Sequence, residues 1–214
     1  MKYLTLFIFL IASFSSFTHP GRTDSNGGHN CGSSARANGL CTGYHFHNVN
    51  SSSGNNQSSN YNRSDWNHWI DSDGDCQNLR QELLIAQSRA QVTYTNSRQC
   101  TVSTGLWIGA FTNNTFTRAS DLDIDHVIPL AYAHRAGGFA WTRTQKQNFA
   151  NDPINLLIVD DGLNQRKSDS GPSEFMPPSN QCSYAQIWDR VSRRYTLQLE
   201  ARDRIFLNNF LANC

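Results

Sequence analysis

The chain has almost no net charge: 18 Lys and Arg stand against 17 Asp and Glu in 214 residues, a formal +1. Bulk electrostatic attraction to a polyanion or an acidic membrane is thereby excluded, and nucleic-acid binding would need a local basic patch. The six cysteines contain no Cys-x-x-Cys pair, which argues against a thiolate zinc site. No zinc finger, recognition helix or RNA-binding signature is visible, so slight sequence preference is expected of any nucleic-acid partner. Beyond residue 12 no apolar run is long enough to span a bilayer. From Val49 to Tyr61 large apolar residues are nearly absent and Asn and Ser dominate, a composition that cannot bury enough surface to order itself. Residues 49–65 are accordingly assigned to a linker.

Met1-Lys2 precedes an apolar run from Tyr3 to Ala12, and small residues Ser13, Ser15 and Ser16 come after it. This pattern predicts a signal peptide over residues 1–17 and a secreted or periplasmic chain, with no membrane attachment after cleavage. An even cysteine count agrees with export to an oxidising compartment. Fifteen pairings are open to six cysteines. Local closure is the expectation carried forward: Cys31 with Cys41, Cys76 with Cys100, and Cys182 with Cys214.

The remaining chain is long enough for one good core, expected at residues 66–214 as a monomer, with an appendage at residues 18–48. In the appendage, His45 and His47 would share one strand face, and His19 and His29 could complete a second metal site. Glycine turns and one disulfide around merely hydrogen-bonded imidazoles explain the same residues. Further on, Asp71-Ser72-Asp73-Gly74-Asp75 alternates carboxylates as calcium loops do, and Glu82 falls at the twelfth position. The residues between read as helix, so a helix start with carboxylates at the positive end of its dipole is favoured. Leu79, Leu83, Leu84 and Ala86 supply that helix with a buried stripe. Val92 to Tyr94, Val102 to Ile108 and Thr115 to Thr117 alternate as strands, a small β region expected to be the floor on which Asp125 and His126 are mounted.

Leu122-Asp123-Ile124-Asp125-His126-Val127-Ile128 alternates polar and apolar residues until Pro129 stops the ladder. A carboxylate and an imidazole therefore stand side by side at a strand end. Oxygen ligands suit a hard cation such as Mg²⁺, and a neutral imidazole can take a proton from water. A short helix is predicted from Pro129 to Ala136, stopped by Gly137-Gly138. Thr142-x-x-Gln145 fits a capping box for a second helix, through Phe149. Ile154 to Val159 reads as a strand, and Asp160-Asp161-Gly162 turns it into a helix bearing Asn164, Arg166 and Lys167. Ser183-x-x-Gln186 suggests the start of a long helix with Ile187, Trp188, Val191 and Tyr195 inward, and Ala201 to Leu211 forms another.

Asp-Ile-Asp-His-Val-Ile-Pro, then Asn155-Leu156-Leu157, then Asn164 with Lys167-Ser168-Asp169 behind it, resembles the HNH endonucleases of the ββα-metal fold. The variant is the one whose last His is replaced by Asn. Trp141, Phe149 to Pro153, Pro177-Pro178, Cys182 and Tyr184, with Asp73 to Cys76, Arg80, Val92 to Tyr94, Cys100 and Gly105 to Trp107 upstream, extend the likeness to a secreted bacterial HNH subfamily over residues 66–214. The appendage is similar to a small YHYH module, with Phe46 in place of the second Tyr. The resemblance implies an α+β fold: a ββα-metal nuclease core with extra helices and the small β region. It implies His126 as general base, Asn155 as the residue that holds the loop and orients His126, and Asp125 and Asn164 as ligands of a divalent metal. That metal is expected to be Mg²⁺, with Mn²⁺ or Zn²⁺ as alternatives. Arg166 and Lys167, flanking the proposed ligand, are candidate phosphate clamps.

The expected activity is metal-dependent hydrolysis of phosphodiester bonds in DNA, with RNA as an alternative substrate. Two other classes share these residues: a metal-binding or surface-attachment protein on a non-catalytic HNH scaffold, and an antibacterial nuclease toxin with an immunity partner.

Overall fold

The computed structural model describes residues 60–214 together with the backbone of two short strands near the N-terminus. The chain divides into two units, Met1–Gly54 and Asn55–Cys214. In the first, β1 (Gly28–Asn30) pairs antiparallel with β2 (Tyr44–Phe46), and His29 stands opposite His45 in the register. The expected leader peptide, His19, His47, Cys31, Cys41 and most of the expected linker lie outside the described residues.

The second unit has the α+β composition expected. Asn62 accepts the Ser64 amide and caps a 3₁₀ turn at Arg63–Asp65, so the last residues assigned to the linker are folded. The acidic run Asp71 to Asp75 does not cap the next helix. Its carboxylates turn back on their own loop, Asp71 Oδ1 accepting from the Gly74 amide at 2.8 Å and Asp75 Oδ1 from Gln77 at 2.7 Å. Asn78 caps α1 (Leu79–Gln87), because a short carboxamide reaches the third amide of the first turn. Leu84 is its buried apolar residue, flanked by Leu79, Leu83 and Ile85, whereas Ala86 faces solvent, contrary to the expected stripe.

Three strands, β3 (Thr93–Tyr94), β4 (Val102–Ile108) and β5 (Thr115–Arg118), form one antiparallel sheet in chain order. A separate two-stranded sheet joins β6 (Leu122–His126) to β7 (Leu156–Asp160), with Asp125 opposite Leu157 and His126 opposite Leu156. Alternation gives this hairpin two faces. Leu122, Ile124, Leu156 and Ile158 pack with Leu84, Val102 and Trp107, so the small sheet and α1 do back the hairpin as a floor. Val159 and Leu157 belong to the second core, around Trp66, Tyr132, Phe149 and Trp188. Polar ties set the angle of the floor: Gln81 Oε1 accepts the buried Val102 amide at 2.8 Å, Trp107 donates to the Leu84 carbonyl at 2.7 Å, and Arg80 reaches the Leu122 carbonyl at 2.9 Å.

The chain between β6 and β7 forms α2 (Leu130–Arg135) and α3 (Arg143–Ala150). Gly137 ends the first with φ of +118°, a conformation that a side chain would strain. The Thr142–Gln145 capping box opens the second. After β7, Asp160 caps α4 (Asp161–Lys167) through the Leu163 amide. The long helix α5 (Gln181–Arg194) starts two residues before Ser183 and has no side-chain cap, so the expected Ser183–Gln186 box is not its signal. Tyr184, Trp188 and Val191 form its buried face, and Ile187 and Tyr195 are half-buried at its edge. Helix α6 (Ala201–Leu211) completes the fold. Disulfides Cys76–Cys100 and Cys182–Cys214 close as expected.

Candidate active site

The site gathers at the end of β6. Pro129 cannot continue the ladder, and Asn155 holds the chain that leaves it: its Oδ1 accepts the Ile128 amide at 2.8 Å, and its Nδ2 donates to the Ile128 carbonyl at 3.1 Å. Its own carbonyl accepts the Val127 amide at 2.8 Å. Asn155 is fully buried, so it fixes the backbone on which His126 is carried and does not reach solvent.

His126 is 6% exposed. Its Nε2 lies 2.8 Å from the Ala150 carbonyl oxygen, which can only accept, so Nε2 carries the proton. The neutral ring then presents Nδ1 as a lone pair. Burial, outweighing the help of that hydrogen bond, lowers the His126 pKa to about 3 and keeps the imidazole neutral. Trp69 lies against the ring at 5.6 Å between centroids and His68 at 6.3 Å.

Helix α4 crosses the other face of the strand. Residues three apart share a helix face and residues two apart share a strand face, so Asn164 and Lys167 meet Asp123 and Asp125 in order. Asn164 Nδ2 donates to Asp123 Oδ2 at 3.1 Å, and Lys167 Nζ lies 2.9 Å from Asp125 Oδ1 and 2.9 Å from the His126 carbonyl. Lys167 is wholly buried, which corrects the expectation that it clamps substrate phosphate: its ammonium is enclosed with Asp125. Removing it would leave an uncompensated buried carboxylate, at a cost of about 3–5 kcal/mol. Arg166, one residue earlier on the helix, is exposed. Asp123, outside the expected ligand pair of Asp125 and Asn164, is the residue that touches Asn164, and the matched spacings Asp-x-Asp and Asn-x-x-Lys carry the signal for it.

Asp125 is buried, and among the described residues its Oδ2 has no hydrogen-bond partner. Burial raises its pKa to about 6, against the opposing pull of Lys167 and with a smaller push from Asp123. A bare oxygen on a buried carboxylate, with a second carboxylate and a carboxamide on adjoining positions, is a donor set that fits a hard divalent cation. Asp125, Asn164 and Asp123 are the residues that would hold it. A second acidic group, Asp71, Asp73 and Asp75, brings ligand oxygens within 4.8 Å of one another, all exposed.

Residues 77–207 match the family model described as GmrSD restriction endonucleases, C-terminal domain. An uncharacterized secreted protein of Arthroderma benhamiae (strain ATCC MYA-4681 / CBS 112371) is 37% identical over 158 residues, covering 72% of this chain and 76% of that one. No solved structure matches the chain.

Proposed function

Because the chain belongs to the family of GmrSD restriction endonuclease C-terminal domains, we propose that it is an exported, divalent-metal-dependent endonuclease of the HNH type, cleaving DNA, and RNA as a second substrate, with little sequence preference. The observation that carries this reading is the fixed tautomer of His126, whose Nε2 proton lies on the Ala150 carbonyl and whose Nδ1 is the basic nitrogen. Nδ1 takes a proton from water as its oxygen attacks phosphorus, and the bond from phosphorus to the 3′-oxygen breaks. The products are a 5′-phosphate and, once the departing oxygen takes a proton from solvent, a 3′-hydroxyl.

A pKa near 3 makes a weak base in the free protein. An anionic phosphate beside the ring favours the imidazolium, so proton affinity rises when substrate is bound. Asn155 contributes by holding the turn that carries His126, and Lys167 by fixing the carboxylate of Asp125. The cation, Mg²⁺ first by ligand hardness and Mn²⁺ or Zn²⁺ as alternatives, would neutralise charge building on the phosphate and the 3′-oxygen. Arg166, exposed on α4, is the residue of that helix offered to the strand's phosphates.

Export is supported by the apolar leader at residues 1–17, by the disulfides and by the secreted relative. Among the described residues no helix is long and apolar enough to cross a membrane. The test is conversion of supercoiled plasmid to open circles by the purified chain with Mg²⁺, Mn²⁺, Zn²⁺ or EDTA, and a parallel RNA substrate. Nicking with at least one metal and none in EDTA is expected; intact plasmid under all four conditions would refute the assignment.

A further inference from the structure

A segment that lies before the region matched to the nuclease family, residues 62–69, packs against His126. Arg63, Ser64, Trp66, Asn67 and His68 line a cavity of about 360 Å³; of these His68, together with the neighbouring Trp69, packs against the His126 ring. The segment is anchored for this: Trp66 is fully buried in the main core, the Asn67 carbonyl and the Ile70 amide are both bonded to Asn151, and Trp69 takes φ of +58°, which is strained for a bulky side chain. Such anchoring holds His68 and Trp69 against the imidazole, with Arg63 near enough for its charge to act on the ring.

Within the cleft, the hydrogen bonds assign roles. His68 Nδ1 lies 3.1 Å from the Trp66 carbonyl and so carries the proton, which makes Nε2 an acceptor; one Arg63 nitrogen sits 3.5 Å from it. Arg63 forms no ion pair with any carboxylate among the described residues, and its side chain is exposed. A guanidinium has five donors in a planar fork. One donor faces the neutral imidazole of His68 and another the hydroxyl of Tyr61, and the fork keeps others for an anion. We propose that Arg63 is a phosphate-binding residue for the nucleic-acid strand beside His126, and that His68 is the positioning residue that aims it. The proposal rests on the nuclease reading for the identity of the anion, a backbone phosphodiester.

The experiment separates the two. Binding of a fluorescein-labelled DNA duplex to the full chain is measured in EDTA, where no cleavage is expected, across a range of NaCl concentrations, for the wild type, Arg63→Ala, Arg63→Lys, His68→Ala and His68→Gln. Circular dichroism checks that each variant keeps its fold. Arg63→Ala is expected to weaken binding roughly tenfold. It should also flatten the slope of log affinity against log salt by about 1, the signature of one lost phosphate contact. Arg63→Lys should restore the slope but not the whole affinity, and His68→Gln, which keeps an acceptor, should bind better than His68→Ala. In nicking assays Arg63→Ala should raise KM more than it lowers kcat. Unchanged affinity and salt slope in Arg63→Ala, or no binding by the wild type, overturns the subsite even where nicking is normal. A wild type that binds through Arg63 yet never nicks leaves the subsite standing and removes the nuclease assignment.

Discussion

Asp203 and Asp125 are both buried carboxylates, and the protein treats them differently. Asp203, on α6, has every oxygen occupied: the Tyr132 hydroxyl donates to Oδ2 at 2.6 Å, and the amide and hydroxyl of Ser173 donate to Oδ1. It binds the chain after α4 to α2 and α6, and a Cβ on Gly171 would collide with it. Asp125, on β6, has one oxygen against Lys167 and the other, among the described residues, without a partner. Burying a charge is costly unless it is paired and hydrogen-bonded. A carboxylate that serves structure alone therefore resembles Asp203, and one left half-satisfied at a strand end, next to an oriented imidazole, is what the proposed metal-dependent site would need.

The sharpest way to break this contrast is to act on each region and read both activity and stability. His126→Ala should reduce plasmid nicking by about 10²–10⁴-fold, the usual contribution of a general base, while the chain stays folded at a cost of about 1–3 kcal/mol for the lost Ala150 hydrogen bond and the space the ring leaves. Nicking near wild-type levels would remove His126 from the mechanism. Asp203→Ala should do the reverse, costing about 3–5 kcal/mol in urea unfolding, with nicking per folded molecule changed less than about twofold. Loss of activity in a fully folded Asp203→Ala would erase the distinction between the two carboxylates.

Reduction of the disulfides belongs to the structural side. Cys182–Cys214 ties the start of α5 to the chain end beyond α6, and Cys76–Cys100 ties the approach of α1 to that of β4. The double variant Cys182→Ser, Cys214→Ser should lose about 2–4 kcal/mol of stability while retaining its metal-dependent nicking below the new melting point.

A smaller effect concerns pH. Asp125 takes up a proton near pH 6, whereas His126 stays neutral down to about 3. The acid limb of kcat/KM should therefore have its midpoint near 6 and fall as pH drops, through loss of a carboxylate. Because a bound cation favours the ionised form, more Mg²⁺ should move that limb to lower pH. A limb that ignores Mg²⁺ concentration would belong to another group.

Much of the hairpin was legible in the sequence, because strand alternation and its punctuation are local. Leu122 to Ile128 alternates up to Pro129, Thr142 and Gln145 form their box, and the strand read at Ile154 to Val159 is β7 at Leu156–Asp160, with Ile154 and Asn155 in the 3₁₀ turn before it. Two parts of the site were not legible there, for different reasons. Lys167 looks like a phosphate clamp because it comes after Asn164 in a basic run, and only the helical phase that places both against β6 shows that it points inward. Arg63, His68 and Trp69 adjoin a stretch without hydrophobic periodicity, and their approach to His126 is a long-range contact with no trace in local pattern. The Ser183–Gln186 box failed because a capping signal is a short string that also occurs inside helices.

The most direct test of the site is metal stoichiometry, measured by Mn²⁺ titration calorimetry on the full chain without nucleic acid. Asp125→Asn is nearly isosteric, and it should bind one Mn²⁺ fewer than the wild type, while Asp203→Asn binds the same number. Equal stoichiometry in wild type and a folded Asp125→Asn, or a loss confined to Asp203→Asn, would contradict the assignment of the β6 end as a metal-dependent catalytic centre.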